Sequence, residues 1–405
     1  MKVLQVNSVY RSGSTGKITY DIHRELLSRG EGSVVCYGRG ERVQEPHVIK
    51  ICGELYSKLN NLRSRLTGVM YGGCLLSTNR LIRIIEKEKP DIVHLQCING
   101  YFVNVYRLID WLKRHRIKTV LTLHAEFMYT ANCSHAMECD RWRTGCGRCP
   151  RYRKETKSWF INATGRSWER MRRAFDGFDG NLVVTSVSPW LMERAKESGI
   201  LKGKQHTVVL NGLDTAVFRE YSADGADKLK AQLGIAPDEK VIFHATPDFN
   251  DRPDHIKGGY YLLRLAERMR GERVRFVVAG SHPAGLAVPD NVILLGKVSD
   301  QALLARYYSM ADLTLLTSRV ETFSMVCAES LCCGTPVVGF RAGAPEQIAI
   351  PEYSEFVEPG DPDGLSDAVH RMLARRVRVP MACVERYSVG SMVGQYLRVY
   401  QMMKG

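Results

Sequence analysis

Apolar and polar positions along this chain follow two alternating patterns. Short continuous apolar runs read as buried strands, and the stretches between them repeat apolar residues every three to four positions, as helices packed on a sheet do. In the first half, strands are expected at residues 2–7, 33–37, 91–96, 118–124, 180–187 and 206–211. Helices are expected at 17–29, at 75–89 up to Pro90, at 103–116, and from Ser188-Pro189 through Ser198. The second half starts a new series, with strands at 240–245, 274–280, 291–295, 311–317, 336–340 and 354–358. Its helices are expected at 259–270, 299–310, 323–333, 362–374 and 391–402. Strand–helix alternation of this kind builds parallel, doubly wound α/β sheets. At 405 residues the chain exceeds one ordinary domain and suits two.

Composition adds little until charge is considered. Hydrophobic content of 44% and charged content of 25% are those of a globular protein, and no apolar run approaches a membrane span. The N-terminal run Met1 to Asn7 has no signal-peptide core, so a cytoplasmic protein is expected. A net charge of +14 admits nucleic acid, anionic lipid or phosphorylated substrates as partners. No nucleic-acid fold signature is present, so nucleic acid is not expected. Basic residues are dense between Arg141 and Arg173, with Trp142, Trp159, Phe160 and Trp168 interleaved. That mixture suits an anionic membrane surface, with the protein peripheral on the inner face of the cell membrane. A solvated basic face with its aromatics in the core would look the same. Of 12 cysteines, Cys327, Cys332 and Cys333 lie in apolar runs as core thiols. Cys133, Cys139, Cys146 and Cys149 fall in a loop-like stretch and could close a tetrahedral structural zinc site; free thiols and a disulfide are the alternatives.

The chemistry concentrates between Ala311 and Phe340. There the order is strand, Glu321, apolar helix from Phe323, Gly334 as helix stop, strand. The first helical turn offers N–H groups to a phosphate. Glu329, further along, can accept hydrogen bonds from sugar hydroxyls. One continuous helix would splay Glu321 and Glu329 by about 80°, so Glu321 is placed in the loop before it. A glycine-rich strand-to-helix turn spans residues 8–16, where α/β proteins hold ligands. It is not a P-loop, since Arg11 and Ile18 stand where glycine and Ser/Thr are needed, and the dinucleotide fingerprint fails as well. His124 ends its strand, at a place where such sheets bind ligands; His94 ends another and reads as structural.

Glu321-x7-Glu329 followed by Cys333-Gly334-Thr335-Pro336-Val337-Val338 resembles the donor-site signature of retaining glycosyltransferase family 4. Arg252-x4-Lys257 is similar to the basic pair with which that family clamps a donor diphosphate, and Asn211-Gly212-Leu213-Asp214 to its crossing between domains. The resemblance covers nearly the full length. It implies the GT-B fold: two Rossmann-like domains facing a cleft, with a C-terminal helix crossing back to the first. The expected division is 1–210, with a cysteine-rich insertion at about 125–165, then 211–385, then 386–405 as the returning helix. It further implies transfer of a sugar, with retention, from a nucleotide sugar (UDP- or GDP-linked) to a glycan acceptor. The cysteine-rich insertion is similar to those of some polysaccharide-assembly members. That likeness, with the basic charge, favours a lipid-linked acceptor of capsule, exopolysaccharide or lipopolysaccharide type. Arg252 and Lys257 would hold the diphosphate, in place of a metal cofactor. Glu329 would hold the ribose, and Glu321 and His124 the donor sugar. Gly16 and the stretch Phe323, Ser324, Met325 would offer N–H groups, and Lys297-Val298 would lie against the base. Many members have glycines beside the first glutamate, where this chain has Thr322 and Ser324. The alternatives are a nucleotide-sugar epimerase of the same architecture and a non-catalytic membrane-associated scaffold using the cysteine loop.

Overall fold

A computed structural model describes residues 1–404. The chain divides into two compact units, Met1–Leu210 together with the segment from Met392 on, and Asn211–Ser391. Each is built on one parallel sheet with helices between most successive strands, the arrangement that sequence alternation predicts; only loops join the strand Gly32–Tyr37 to Val48–Lys50 and the strand Val274–Ser281 to Val292–Gly296.

The first sheet contains β1 (Lys2–Asn7), β2 (Gly32–Tyr37), β3 (Val48–Lys50), β4 (Ile92–Leu95), β5 (Thr119–Leu123), β6 (Leu182–Ser186) and β7 (Gln205–Val208), in the order β3-β2-β1-β4-β5-β6-β7. Strands β4, β5 and β6 are buried throughout, as continuous apolar runs covered on both faces should be. The last helix, Val389–Lys404, sends Tyr396 and Tyr400 into this core. The Tyr396 hydroxyl lies 3.1 Å from Thr122 Oγ1 and the Tyr400 hydroxyl 2.6 Å from His94 Nδ1. His94 also meets Thr122 Oγ1 at 2.7 Å, and burial lowers its pKa to about 3, so it is a neutral structural histidine, as expected.

The second sheet contains β8 (Lys240–Asp248), β9 (Val274–Ser281), β10 (Val292–Gly296), β11 (Leu313–Leu316), β12 (Val337–Phe340) and β13 (Ser354–Val357), in the order β10-β9-β8-β11-β12-β13. Ile242, Phe276, Leu313 and Val338 from the sheet meet Leu262, Leu265, Val369 and Met372 from the helices Gly259–Arg268 and Pro362–Arg375 in one core.

Some details depart from expectation. The helix after β1 starts at Gly13, so Gly16 is buried in its first turn and not in the preceding loop. The helix after Glu321 runs only from Met325 to Cys332. A 14-residue helix, Glu54–Thr67, appears where none was expected. Trp142 and Trp168 are core residues, 1% and 7% exposed, so only Trp159 and Phe160 of the four interleaved aromatics face solvent. No helix among the described residues is long and apolar enough to cross a membrane.

Candidate active site

In an open parallel sheet, ligands bind beyond the strand C-termini where the strand order reverses. In the second unit that point lies between β8 and β11, since β8 leads to β9 and β10 on one side and β11 to β12 and β13 on the other. Lys257 is on the loop after β8 and Glu321 on the loop after β11. They meet there, with Lys257 Nζ 2.6 Å from Glu321 Oε1, both side chains half-buried. The two loops are stitched together by backbone as well. Arg319 N–H donates to the Ile256 carbonyl at 2.9 Å, and Thr317 Oγ1 to the Lys257 carbonyl at 3.2 Å. Gly258 makes this approach feasible. Its φ is +67°, and a Cβ there would stand 2.0 Å from the Thr317 carbonyl oxygen.

Glu321 is held in the loop, as the helical geometry required. Its N–H donates to Ala342 O at 2.8 Å, and Ala344 N–H donates to Glu321 O at 3.2 Å. The Glu346 carboxylate accepts from the N–H groups of Ala342 and Gly343, both at 3.1 Å, and so fixes the turn beside it. Ser324 then caps the helix, its Oγ accepting from Cys327 N–H at 3.3 Å. Ser324 has φ +74°, a left-handed conformation that suits glycine better than serine. The first-turn N–H groups of Met325 and Val326 follow directly.

Glu329 sits one to two turns on, and its Oε2 accepts from the Tyr308 hydroxyl at 3.0 Å. Burial raises its pKa to about 7; the Tyr308 hydrogen bond pulls the other way without cancelling the effect. Arg252 is exposed, on the same loop as Lys257, and its N–H donates to Asn250 Oδ1 at 3.2 Å. Lys297 and Val298 follow β10, beside Gly296 with φ +69°, Lys297 being exposed. The structure thus brings Lys257 and Glu321 into contact, and puts Arg252, Lys297 and Val298 on strand-end loops of the same edge.

In the first unit the strand order reverses between β1 and β4. Gly16 follows β1, where its carbonyl accepts from Arg11 N–H at 3.0 Å. His124 follows β5, with Nε2 2.8 Å from Gln96 Oε1, and Gln96 follows β4. Burial lowers the His124 pKa to about 4, so the imidazole is neutral near pH 7 and can donate or accept one hydrogen bond at each nitrogen.

Sequence reasoning missed three supporting residues. Tyr308 was seen only as part of a helix, with no signal that it would face Glu329. His244 lies on β8, its Nδ1 2.9 Å from Leu315 O across the switch point, and burial lowers its pKa to about 4. Glu346 was legible only as a carboxylate after the turn at Gly343.

The zinc expectation is corrected. Among the described residues no group of three or more His, Cys, Asp and Glu could hold a metal ion. Cys133, Cys139, Cys146 and Cys149 are free thiols. Burial pushes the thiols of Cys133 and Cys146 up, to about 12 for Cys146, and nearby cysteines add to it. The stretch is held by other bonds: the buried Glu126 carboxylate accepts from Arg194 at 2.7 Å and from Ala136 N–H at 2.6 Å.

The model of Glycosyltransferase Family 4 matches residues 15–217, just over half of the chain. The chain belongs to glycosyltransferase family 4. The model of Glycosyl transferases group 1 matches residues 249–375, which include the Arg252–Lys257 loop and both glutamates. WcaC of Escherichia coli (strain K12), a proposed colanic acid biosynthesis glycosyl transferase, is 24% identical over 366 residues, 86% of this chain and 85% of its own. Among solved structures, HepE of Anabaena in complex with UDP has a TM-score of 0.66 at 17% identity, covering 99% of this chain and 100% of that one. WaaG, a glycosyltransferase involved in lipopolysaccharide biosynthesis, has a TM-score of 0.62 at 13% identity over 100% of both chains. These likenesses place the fold among the GT-B glycosyltransferases.

Proposed function

We propose that this family 4 enzyme is a retaining glycosyltransferase of cell-surface polysaccharide biosynthesis, moving a sugar from a nucleotide sugar to a lipid-linked glycan. The observation that carries the reading is the Lys257–Glu321 pair, 2.6 Å apart at the switch point of the second sheet. Breaking a glycosyl phosphate bond leaves a nucleoside diphosphate whose new charge needs fixed cations and N–H dipoles. Lys257 and Arg252 supply the cations, and the N–H groups from Phe323 to Met325 the dipoles. Glu321 accepts from donor-sugar hydroxyls and Glu329 from the ribose, while Gly16 and His124 are proposed as ligand-facing groups at the strand ends of the first unit. Lys297 and Val298 lie along the base, through backbone atoms. The leaving phosphate takes the acceptor proton, so no separate carboxylate base is required. Support for the donor class comes from the UDP-bound structural neighbour, and for the pathway from the description of WcaC.

The experiment is a thermal-shift screen against nucleoside diphosphates and their sugars, then incubation of the best donor with a lipid-linked glycan. Transfer with the donor's anomeric configuration kept, read by NMR of the product, is expected. Isomerised free donor with no transfer would identify an epimerase, and no nucleotide binding would refute the reading.

A further inference from the structure

The Glu54–Thr67 helix is built inside out. Its buried residues are Ser57 and Ser64, whereas Leu55, Leu59, Leu62 and Leu66 are 73%, 56%, 44% and 44% exposed. At about 100° per residue these four leucines fall within an arc of about 60°. Lys58 and Arg65 flank the stripe on one side and Arg63 on the other, with Lys58 and Arg63 exposed. A helix on the surface of a water-soluble domain points its apolar stripe inward. Here small polar groups make the inward contacts: Ser57 Oγ donates to Gly100 O at 3.3 Å, and Asn60 Oδ1 accepts from Cys74 N–H at 2.8 Å.

The stripe continues onto a second segment. Trp159 N–H donates to Arg65 O at 2.9 Å, and Ser158 Oγ to the same oxygen at 3.2 Å. Gly68, which ends the helix, packs so closely on Ile161 that a Cβ would stand 2.4 Å from the Ile161 carbonyl oxygen. The loop thus held presents Trp159, Phe160 and Ile161 at 44%, 73% and 48% exposure. Just before it come Arg153, Lys154 and Lys157, all exposed. Leu76, 71% exposed, joins from the next helix, its N–H donating to the Tyr56 hydroxyl at 3.1 Å.

The geometry points to this surface as a docking face for an anionic lipid bilayer, with the Glu54–Thr67 helix lying in the interface plane and Trp159-Phe160-Ile161 inserted beside it. Leucine and aromatic side chains flanked by lysine and arginine are what such an interface takes up. Charge decides between a bilayer and a second copy. The chain carries +14, and pairing two such faces would set basic rims against each other, whereas anionic headgroups complement them. The inference deepens the function proposed above, whose lipid-linked acceptor would lie in such a bilayer. It uses neither donor nor acceptor, so its failure leaves the transfer chemistry untouched and failed transfer leaves it untouched.

The test is co-sedimentation of the full chain with vesicles of equal parts phosphatidylglycerol and phosphatidylcholine, against phosphatidylcholine alone, at low and high salt. Binding only to the anionic vesicles, weakened by salt, is expected. The variant Leu59→Gln/Leu62→Gln should lower partitioning by at least about tenfold with an unchanged Tm, since both side chains are exposed. Lys58→Gln/Arg63→Gln should lower it by about fivefold per charge and flatten the salt dependence. No binding of the wild type at low salt, or wild-type binding by the leucine variant, overturns the inference. So does a wild-type dimer that the leucine variant turns into a monomer with vesicle binding intact, which would assign the face to a second copy.

Discussion

Glu329 should make the second unit's stability fall with pH in a window where most carboxylates are silent. Its pKa is raised from 4.5 to about 7 because burial disfavours the charged carboxylate, with the Tyr308 hydroxyl its hydrogen-bond partner. The sign follows from proton counting. Between these two values the native chain holds a proton that the unfolded chain has released, so stability declines as pH rises through the window. A shift of this size corresponds to about 3 kcal/mol, at roughly 1.4 kcal/mol per pKa unit. The perturbation is Glu329→Gln, which keeps the size and an oxygen for Tyr308 but cannot ionise. Near pH 5 the variant and wild type should be equally stable. Above pH 8 the variant should be more stable by up to about 3 kcal/mol, or several degrees in Tm. The same variant should bind nucleoside diphosphate more weakly at pH 8, because an ionised carboxylate accepts from both ribose hydroxyls more strongly than an amide does. Wild-type affinity should fall below pH 7 as Glu329 takes up its proton, and the variant's should not. The assay is a pair of melting curves and titrations at each pH. Parallel stability profiles from pH 5 to 9 would refute the burial argument, whatever the enzyme transfers.

Other outcomes follow from the same geometry. Lys257→Ala should lower kcat by about 10²–10³-fold, the scale of one lost charge stabiliser, with the fold intact by circular dichroism; wild-type-like turnover would remove it from the site. Gly258→Ala should destabilise by at least about 2 kcal/mol in denaturant melts, because the new Cβ meets the Thr317 carbonyl at a positive φ. Ser324→Gly should change stability by less than about 1 kcal/mol, since relief at φ +74° offsets the lost cap to Cys327. Without denaturant, a thiol reagent should label exposed Cys383 fast and leave Cys36, Cys327 and Cys333 unmodified, as burial raises the pKa of each; fast labelling of those three would contradict the packing.

The strand series was legible because parallel strands buried on both faces read as unbroken apolar runs, and 12 of the 13 strands among the described residues fall on expected segments. Only Val48–Lys50, three residues at a sheet edge, was too short to signal itself. Helix starts were less legible, since they depend on backbone hydrogen bonds that apolar spacing does not encode. Phe323 is buried and fits a helical pattern, yet the helix waits for the Ser324 cap. The Glu54–Thr67 helix carried a clear spacing at Leu55, Leu59, Leu62 and Leu66, but a stripe cannot say by itself whether it faces a core or solvent. Cysteine spacing overstated its case in the same way: four thiols in one loop satisfied a count, not a geometry.

The pair at the centre of the site was legible for a different reason. Lys257 and Glu321 are 64 positions apart, and no local pattern joins them. Their contact depends on two topological facts: every strand of the sheet is parallel, so every strand C-terminus lies on one edge, and β8 and β11 are neighbours where the winding reverses. Given that reversal, the loops after β8 and β11 must diverge, one toward β9 and the other toward β12, and open a crevice at their root. A cation on one loop and a carboxylate on the other then face each other across it, and Gly258 brings the backbones close enough for the ion pair to form. On the function proposed above, a phosphate entering the crevice would compete with Glu321 for Lys257, and the displaced carboxylate would be left free to accept from a hydroxyl carried by the same ligand. On that reading, the two partners of this ion pair would thus serve the two halves of a sugar–diphosphate. Glu321→Gln should accordingly free Lys257 and tighten binding of the bare nucleoside diphosphate while weakening that of the nucleotide sugar. Equal effects on the two ligands would show that the pair only holds the loops together.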